Sequence, residues 1–309
     1  MRTRIKLKSQ EWYDNRHSSV GSSDIGAISG VNDFASPLSV YNQKVGISHW
    51  EGSDQAEYGD HLEPFVAKKS FERLLLDGRV PEGSTLAINP YLYVAEDNPR
   101  FNASPDFFIL HPDGTFILLE CKTAKMYAMD KWKNGEVPAS YYAQVEWQLY
   151  CTGLKHAFIS CLVAGDMGSL FTHSIDRDNN YIRTLKLVGE NFCHKLDNKT
   201  PPQAMNLDLD LMVEPSLEEV ASVTPELLIN FIKLDEEMRA MGKTREREKA
   251  KDSCRAAIEQ EMGEKAYAEL ELEGIRYRFS RKTVEVKEKI TKASSYVKFG
   301  FREFKINNN

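Results

Sequence analysis

The chain has 309 residues, 41% of them apolar and 28% charged, and a formal charge of −6. These are the proportions of a soluble globular protein, they exclude wholesale disorder, and the length predicts one core domain with an appended segment. The negative total argues against a protein that coats nucleic acid, no apolar run is long enough to cross a bilayer, and the opening MRTRIKLKSQEW lacks the apolar stretch of a signal peptide.

A cytoplasmic protein is therefore expected. Cys121, Cys151, Cys161, Cys193 and Cys254 are odd in number and without the close pairs that hold zinc or an iron–sulfur cluster, which predicts reduced packing residues. Charge is unevenly distributed: Arg2, Arg4, Lys6, Lys8 and Arg16 crowd the start, and Asp208, Asp210, Glu214, Glu218 and Glu219 gather later.

Short helices are predicted after Gly21-Ser22-Ser23-Asp24 and from Ser36-Pro37, where serine caps and proline takes the first helical position, with Gly46 ending the second. An apolar stripe predicts a longer helix over about Glu57 to Leu76. From Thr85 to Lys122 the pattern turns β-rich, and FFILHPDGTFILLECK reads as a hairpin about His111-Pro112-Asp113-Gly114, with Phe116 to Leu119 expected to be buried on both faces.

A helix from Ala139 to Thr152 stops at Gly153, strands run from His156 to Val163 and from Ser169 to Ile175, and a further helix ends before Pro201-Pro202. This order predicts a mixed α/β (α+β) fold over residues 1–200. The proline pair marks the boundary of an extension over 201–309. In it Thr224-Pro225-Glu226 opens a helix to Met241, Lys243 to Met262 form a charged second helix, and Ala268 to Ser280 read as a hairpin about Glu273-Gly274. The basic stretch from Arg281 to Lys305 is expected to pack rather than to contact DNA.

Cleaving a phosphodiester needs an activated water, charge stabilisation on the phosphoryl oxygens and help for the leaving oxygen, which carboxylate-held metal ions supply. Hard oxygen ligands select magnesium. Across the hairpin, paired positions sum to about 226, which sets Asp106 opposite Glu120. Residues two apart on a strand share a face, so Lys122 joins them and Cys121 points away. Two such close carboxylates repel unless a divalent cation or the lysine compensates. The bland reading is a strand that merely ends at the surface with Asp106 as a turn residue.

Ser104-Pro105-Asp106 followed by Glu120-Cys121-Lys122 after an apolar strand resembles the PD-(D/E)XK nuclease core. Trp12 through Arg16, Gly21-Ser22-Ser23-Asp24-Ile25, Gly59-Asp60-His61-Leu62-Glu63-Pro64 and Tyr141-Tyr142-Ala143-Gln144-Val145 follow in the order of the lambda-exonuclease/YqaJ-like viral recombinase family, so the resemblance spans about Trp12 to Lys195. It implies a restriction-endonuclease-like core, a central mixed sheet flanked by helices, with a C-terminal helical and β-hairpin extension beyond the family's reach.

By the same resemblance, Asp106, Glu120 and the backbone carbonyl of Cys121 hold Mg2+, with Mn2+ as an alternative, and Lys122 orients or activates the attacking water. Gln144 supports the lysine or the nucleophile, and Glu63 lies near the metal. Tyr141, Gln144 and Gln148 share one helix face, so an amide can be aimed at the sheet edge. Arg16 and Ser23 match positions that bind a 5′-terminal phosphate, a guanidinium and a hydroxyl beside helix-terminal amides. Alone, Gln144 reads as a solvated glutamine, Arg16 as a surface residue, Ser23 as an N-cap and Trp12 as core.

The activity implied is a 5′ to 3′ exonuclease on double-stranded DNA ends that leaves a 3′ overhang for recombination by strand annealing. A ring-shaped homotrimer, a single-strand annealing partner, no membrane and a phage or prophage setting in a bacterial host are implied with it. An endonuclease built on the same core and a noncatalytic DNA-binding assembly protein are the alternatives.

Overall fold

The computed structural model describes residues 3–48, 53–163, 169–286 and 294–305. Arg2 and part of the basic stretch between Arg281 and Lys305 lie outside them. The chain forms two compact units, Met1–Pro202 and Gln203–Asn309. Among the described residues no helix is long and apolar enough to cross a membrane.

The first unit begins with β1 (Arg4–Lys6), α1 (Gln10–Ser18), α2 (Ser22–Ile28), α3 (Pro37–Lys44) and α4 (Asp54–Leu76). Ser9 caps α1 by accepting from Trp12 N, and Ser36 caps α3 with Pro37 in its first turn. Then come β2 (Thr85–Ile88), β3 (Tyr91–Val94), β4 (Asn102–Ala103), β5 (Phe107–Leu110), β6 (Phe116–Ala124), α5 (Ala139–Thr152), β7 (His156–Val163), β8 (Leu170–Asp176) and α6 (Asn179–Asp197). Gly153 ends α5 in the left-handed conformation, at φ 74°, which costs glycine little.

Five strands form the central sheet in the order β2-β5-β6-β7-β8. β6 and β7 run parallel with α5 as their crossover, and the other pairs are antiparallel. The β5–β6 register pairs Phe107 with Leu119 and Phe108 with Leu118, as expected for a hairpin turning at Asp113. The pleat then splits β6 into two faces. Ile117, Leu119 and Cys121 pack with Val66, Ala67 and Leu74 of α4, while Leu118 packs with Val145 and Leu149 of α5. Phe116 departs from the expected burial, being 49% exposed, because it starts its strand beside the turn and only its edge meets Phe108.

α5 is held on its far side by α2 and α6. Gly26 of α2 lies so close to Ser140 that a Cβ there would stand 3.0 Å from the Ser140 carbonyl oxygen, and one on Gly189 of α6 would stand 3.1 Å from Phe101 and Trp147. These close approaches fix α5 over the sheet, which positions the site.

The second unit contains β9 (Leu217–Ala221), α7 (Pro225–Met241), α8 (Arg245–Met262), β10 (Lys265–Leu272), β11 (Ile275–Val286) and β12 (Ser294–Lys305), with sheet order β12-β11-β10-β9. Its own core joins Leu228, Phe231, Ile258, Met262 and Phe279. β9 and β12 were not foreseen. Both gain their strand character by pairing with the β10–β11 hairpin, a tertiary cause that local sequence does not display.

Candidate functional site

The site is built where the hairpin opens towards its outer end. One register step beyond the Phe107–Leu119 pair stand Asp106 and Glu120, and Lys122 follows on the same face of β6. Glu120 is fully buried, so its carboxylate needs donors in place of water. It has three. Lys122 Nζ donates to Oε1 at 2.5 Å, Gln144 Nε2 to the same oxygen at 2.6 Å, and Gln148 Nε2 to Oε2 at 2.7 Å. Asp106 Oδ2 accepts from the Cys121 amide at 2.8 Å, and the Cys121 thiol points into the opposite core cluster.

α5 supplies both amides because Gln144 and Gln148 are one helical turn apart. Its Tyr141 sets an aromatic ring 5.3 Å from Lys122 Nζ. From the other side of the sheet α4 brings Glu63. Its Gly59 runs close to β6, where an added Cβ would lie 3.8 Å from Thr123 Oγ1.

The electrostatics follow from three carboxylates around one ammonium. Burial, then the charge of Glu120, pushes the Glu63 carboxyl up. Burial again comes first for Asp106, followed by Glu120 and Glu63. Together they outweigh Lys122 and the Cys121 amide and hold its carboxyl well above the usual range. At Lys122 burial disfavours the charge, but Glu120 and Asp106 prevail and hold the ammonium above the ordinary lysine value.

Such a cluster suits a divalent cation, whose charge would relieve the carboxylate repulsion. Among the described residues no group of three or more His, Cys, Asp or Glu side chains stands ready-made to hold a metal ion. Two carboxylates with a main-chain carbonyl and waters are nonetheless a donor set that Mg2+ uses.

Arg16 and Ser23 lie apart from these carboxylates, in a small cavity that Lys44, Asn102 and Ser104 also line. Ser104 stands two residues before Asp106. Arg16 is exposed on α1 with its guanidinium 4.9 Å from the Trp12 ring, and Trp12 is half-buried, packed against the small core cluster of Ile5, Leu92 and Val94. Ser23 is exposed and is not the cap of α2. That place is Gly21, whose amide donates to Asp24 Oδ2 at 3.0 Å. Asp24 also pairs with Lys44 at 2.7 Å, so negative charge at the start of α2 comes from within the chain.

One site residue escaped the sequence reading, and another was placed by it but given no role. Lys44 gave no signal, since its partners Asp24 and the Arg16 carbonyl lie 20 and 28 positions away. Gln148 gave one, its place on the Gln144 face, but nothing in the sequence said that it is fully buried.

Residues 11–155 match the YqaJ-like viral recombinase domain. This segment of the chain is similar to that family. The curated relative Uncharacterized protein YqaJ of Bacillus subtilis (strain 168) is 28% identical over 185 residues, 57% of this chain and 53% of that protein. The chain thus spans about half the length of that relative. Among solved structures, the alkaline exonuclease LHK-Exo from Laribacter hongkongensis matches with a TM-score of 0.49, and its complex with dAMP with 0.50. Each is 20% identical and covers 62% of this chain and 94% of the other. The mixed sheet of the YqaJ-like domain, flanked by helices, therefore resembles the LHK-Exo fold.

Proposed function

We propose that residues 1–200 form a PD-(D/E)XK nuclease core that hydrolyses phosphodiesters from the 5′ end of double-stranded DNA, leaving a 3′ overhang, and that 201–309 are an extension outside this chemistry. The observation that carries the reading is the meeting of Asp106, Glu120 and Lys122 at one end of the hairpin, with both oxygens of Glu120 held by α5. The family that residues 11–155 match supports a role in recombination. LHK-Exo has been crystallised with dAMP, and a nucleotide substrate is the natural expectation here as well.

Asp106, Glu120 and the Cys121 carbonyl would hold Mg2+, or Mn2+ in its place, with Glu63 nearby. The ion, when bound, would supply Lewis-acid stabilisation of the phosphoryl oxygens and lower the pKa of a water. The chain's own part begins with Gln144 and Lys122, which fix the Glu120 carboxylate. The Lys122 ammonium orients the attacking water and counters the negative charge that develops on the phosphate. Arg16, with Ser23 and Lys44 beside it, gives a terminal phosphate a charged fork in a cavity that reaches the Asp106 segment through Ser104. End recognition follows from that adjacency, and a homotrimeric ring and a single-strand annealing partner belong to the same reading.

The test is a comparison of substrates in Mg2+. Linear duplex with 5′ phosphates should shorten progressively, covalently closed circles should survive, and EDTA should stop the reaction. Rapid cutting of closed circles would favour the endonuclease alternative. No cutting of either substrate, with Mg2+ or Mn2+, would favour the noncatalytic one.

A further inference from the structure

Gln148 is fully buried in the middle of α5, flanked in sequence by the buried apolar residues Val145, Trp147, Leu149 and Cys151. An apolar side chain of equal volume would suit that environment better, since a buried amide must find partners for both its ends. One end is satisfied: Nε2 donates to Glu120 Oε2 at 2.7 Å. The other is not, as Oε1 has no hydrogen-bond partner among the described residues. A polar atom so buried and unpaired, on a side chain already bound to a proposed catalytic carboxylate, calls for a hydrogen supplied from within the site.

The division of labour around Glu120 sharpens the point. Lys122 and Gln144 both donate to Oε1. Among the described residues Gln148 alone holds Oε2, so without it the carboxylate is fixed at one oxygen and free to turn about its last torsion. A turn there redirects the lone pairs that would face a cation.

We infer that Gln148 is a positioning residue: with Gln144 it clamps the Glu120 carboxylate in one plane for a divalent cation, while its own carbonyl oxygen accepts a hydrogen from a site water. This rests on the nuclease reading given above. It assigns to α5 a pair of amides one turn apart, acting on the two oxygens of one carboxylate.

The experiment uses the full chain. Mg2+ binding without DNA is measured by calorimetry for the wild type, Gln148→Met and Gln148→Asn, and kcat and KM are measured on linear duplex. Methionine keeps the volume and removes the donor, and asparagine keeps the amide but withdraws it by one methylene. Each is expected to weaken Mg2+ binding about 10–100-fold, the usual cost of losing a partner of a ligand. kcat should fall while KM for DNA stays within about two-fold, since the clamp acts in the transition state and not in DNA binding.

A readout on the wild type covers the case in which both variants misfold: the side-chain amide NMR signals of Gln148 should shift as Mg2+ saturates. Unchanged Mg2+ affinity and kcat in a folded variant, or Gln148 signals that ignore Mg2+, would overturn the inference while leaving the nuclease reading intact. A wild type that binds no Mg2+ and cuts no DNA would instead remove the reading on which it rests.

Discussion

Replacing Asp106 by asparagine removes one negative charge from a group of three carboxylates, Glu120 fully buried and Asp106 and Glu63 half-buried, while keeping an acceptor for the Cys121 amide, now 2.8 Å from Asp106 Oδ2. Glu120, a cross-strand neighbour at about 5 Å, repels that charge by roughly 3 kcal/mol at an effective dielectric constant near 20. Lys122 answers most of this repulsion, and Glu63 adds a little to it. What remains is desolvation, several kcal/mol for a carboxylate, against about 1.5–3 kcal/mol from its charge-assisted hydrogen bond.

The metal-free Asp106→Asn protein should therefore be more stable than the wild type at pH 7 by about 1–3 kcal/mol, each kcal/mol being worth about 2–4 °C of Tm in a unit of this size. The pH dependence has a definite sign. A carboxyl whose folded pKa is raised binds its proton more tightly when folded, so wild-type stability declines as pH rises through the unfolded value near 4 towards the raised folded one. Lowering the pH should hence close the gap between the two proteins. Adding Mg2+ should raise the Tm of the wild type and leave the variant nearly unmoved. Thermal unfolding in EDTA and in Mg2+, from about pH 4.5 to about pH 7.5 in steps of about half a unit, makes the measurement. A variant less stable than the wild type in EDTA at every pH would refute the reasoning and leave Asp106 as a structural acceptor only.

Lys122→Ala should lower kcat on linear duplex by roughly 10²–10⁴-fold while DNA binding in a gel-shift assay is mostly kept; weakened binding at full turnover would contradict its role. Arg16→Ala should reduce the preference for a 5′ phosphate over a 5′ hydroxyl, measured as the ratio of kcat/KM on the two ends, and an unchanged ratio would take Arg16 out of the site. Gly189→Ala tests the packing behind α5. The gain in helix propensity, about 1 kcal/mol, is outweighed by forcing a methyl to 3.1 Å from the immobile rings of Phe101 and Trp147. A net loss of about 1–2 kcal/mol in urea unfolding is expected, and a more stable variant would show that those rings can yield.

The hairpin and its chemistry could be read from the sequence because both are local. A turn at Pro112-Asp113-Gly114 fixes the register, the register sets Asp106 against Glu120, and period-two alternation assigns Lys122 to the same face. α5 was legible to its last residue, since Gly153 closes it in a conformation that other residues avoid. α1 was not: no residue of it is buried, so it carries no apolar stripe, and a cap at Ser9 is its main local support.

Tertiary structure alone decided how deep the site lies and what completes it. No periodicity reveals that Glu120 is fully buried, that Gln148 reaches it across 28 positions, or that Lys44 ties Asp24 to the Arg16 carbonyl. Desolvation, the largest influence on Asp106 and Glu63, exists only once α4 and α5 cover the two faces of the sheet. The sequence determined which charged groups would share a face, because that depends on bond geometry within a few residues. The strength of their interaction was left to the fold, because it depends on how much water the distant helices exclude.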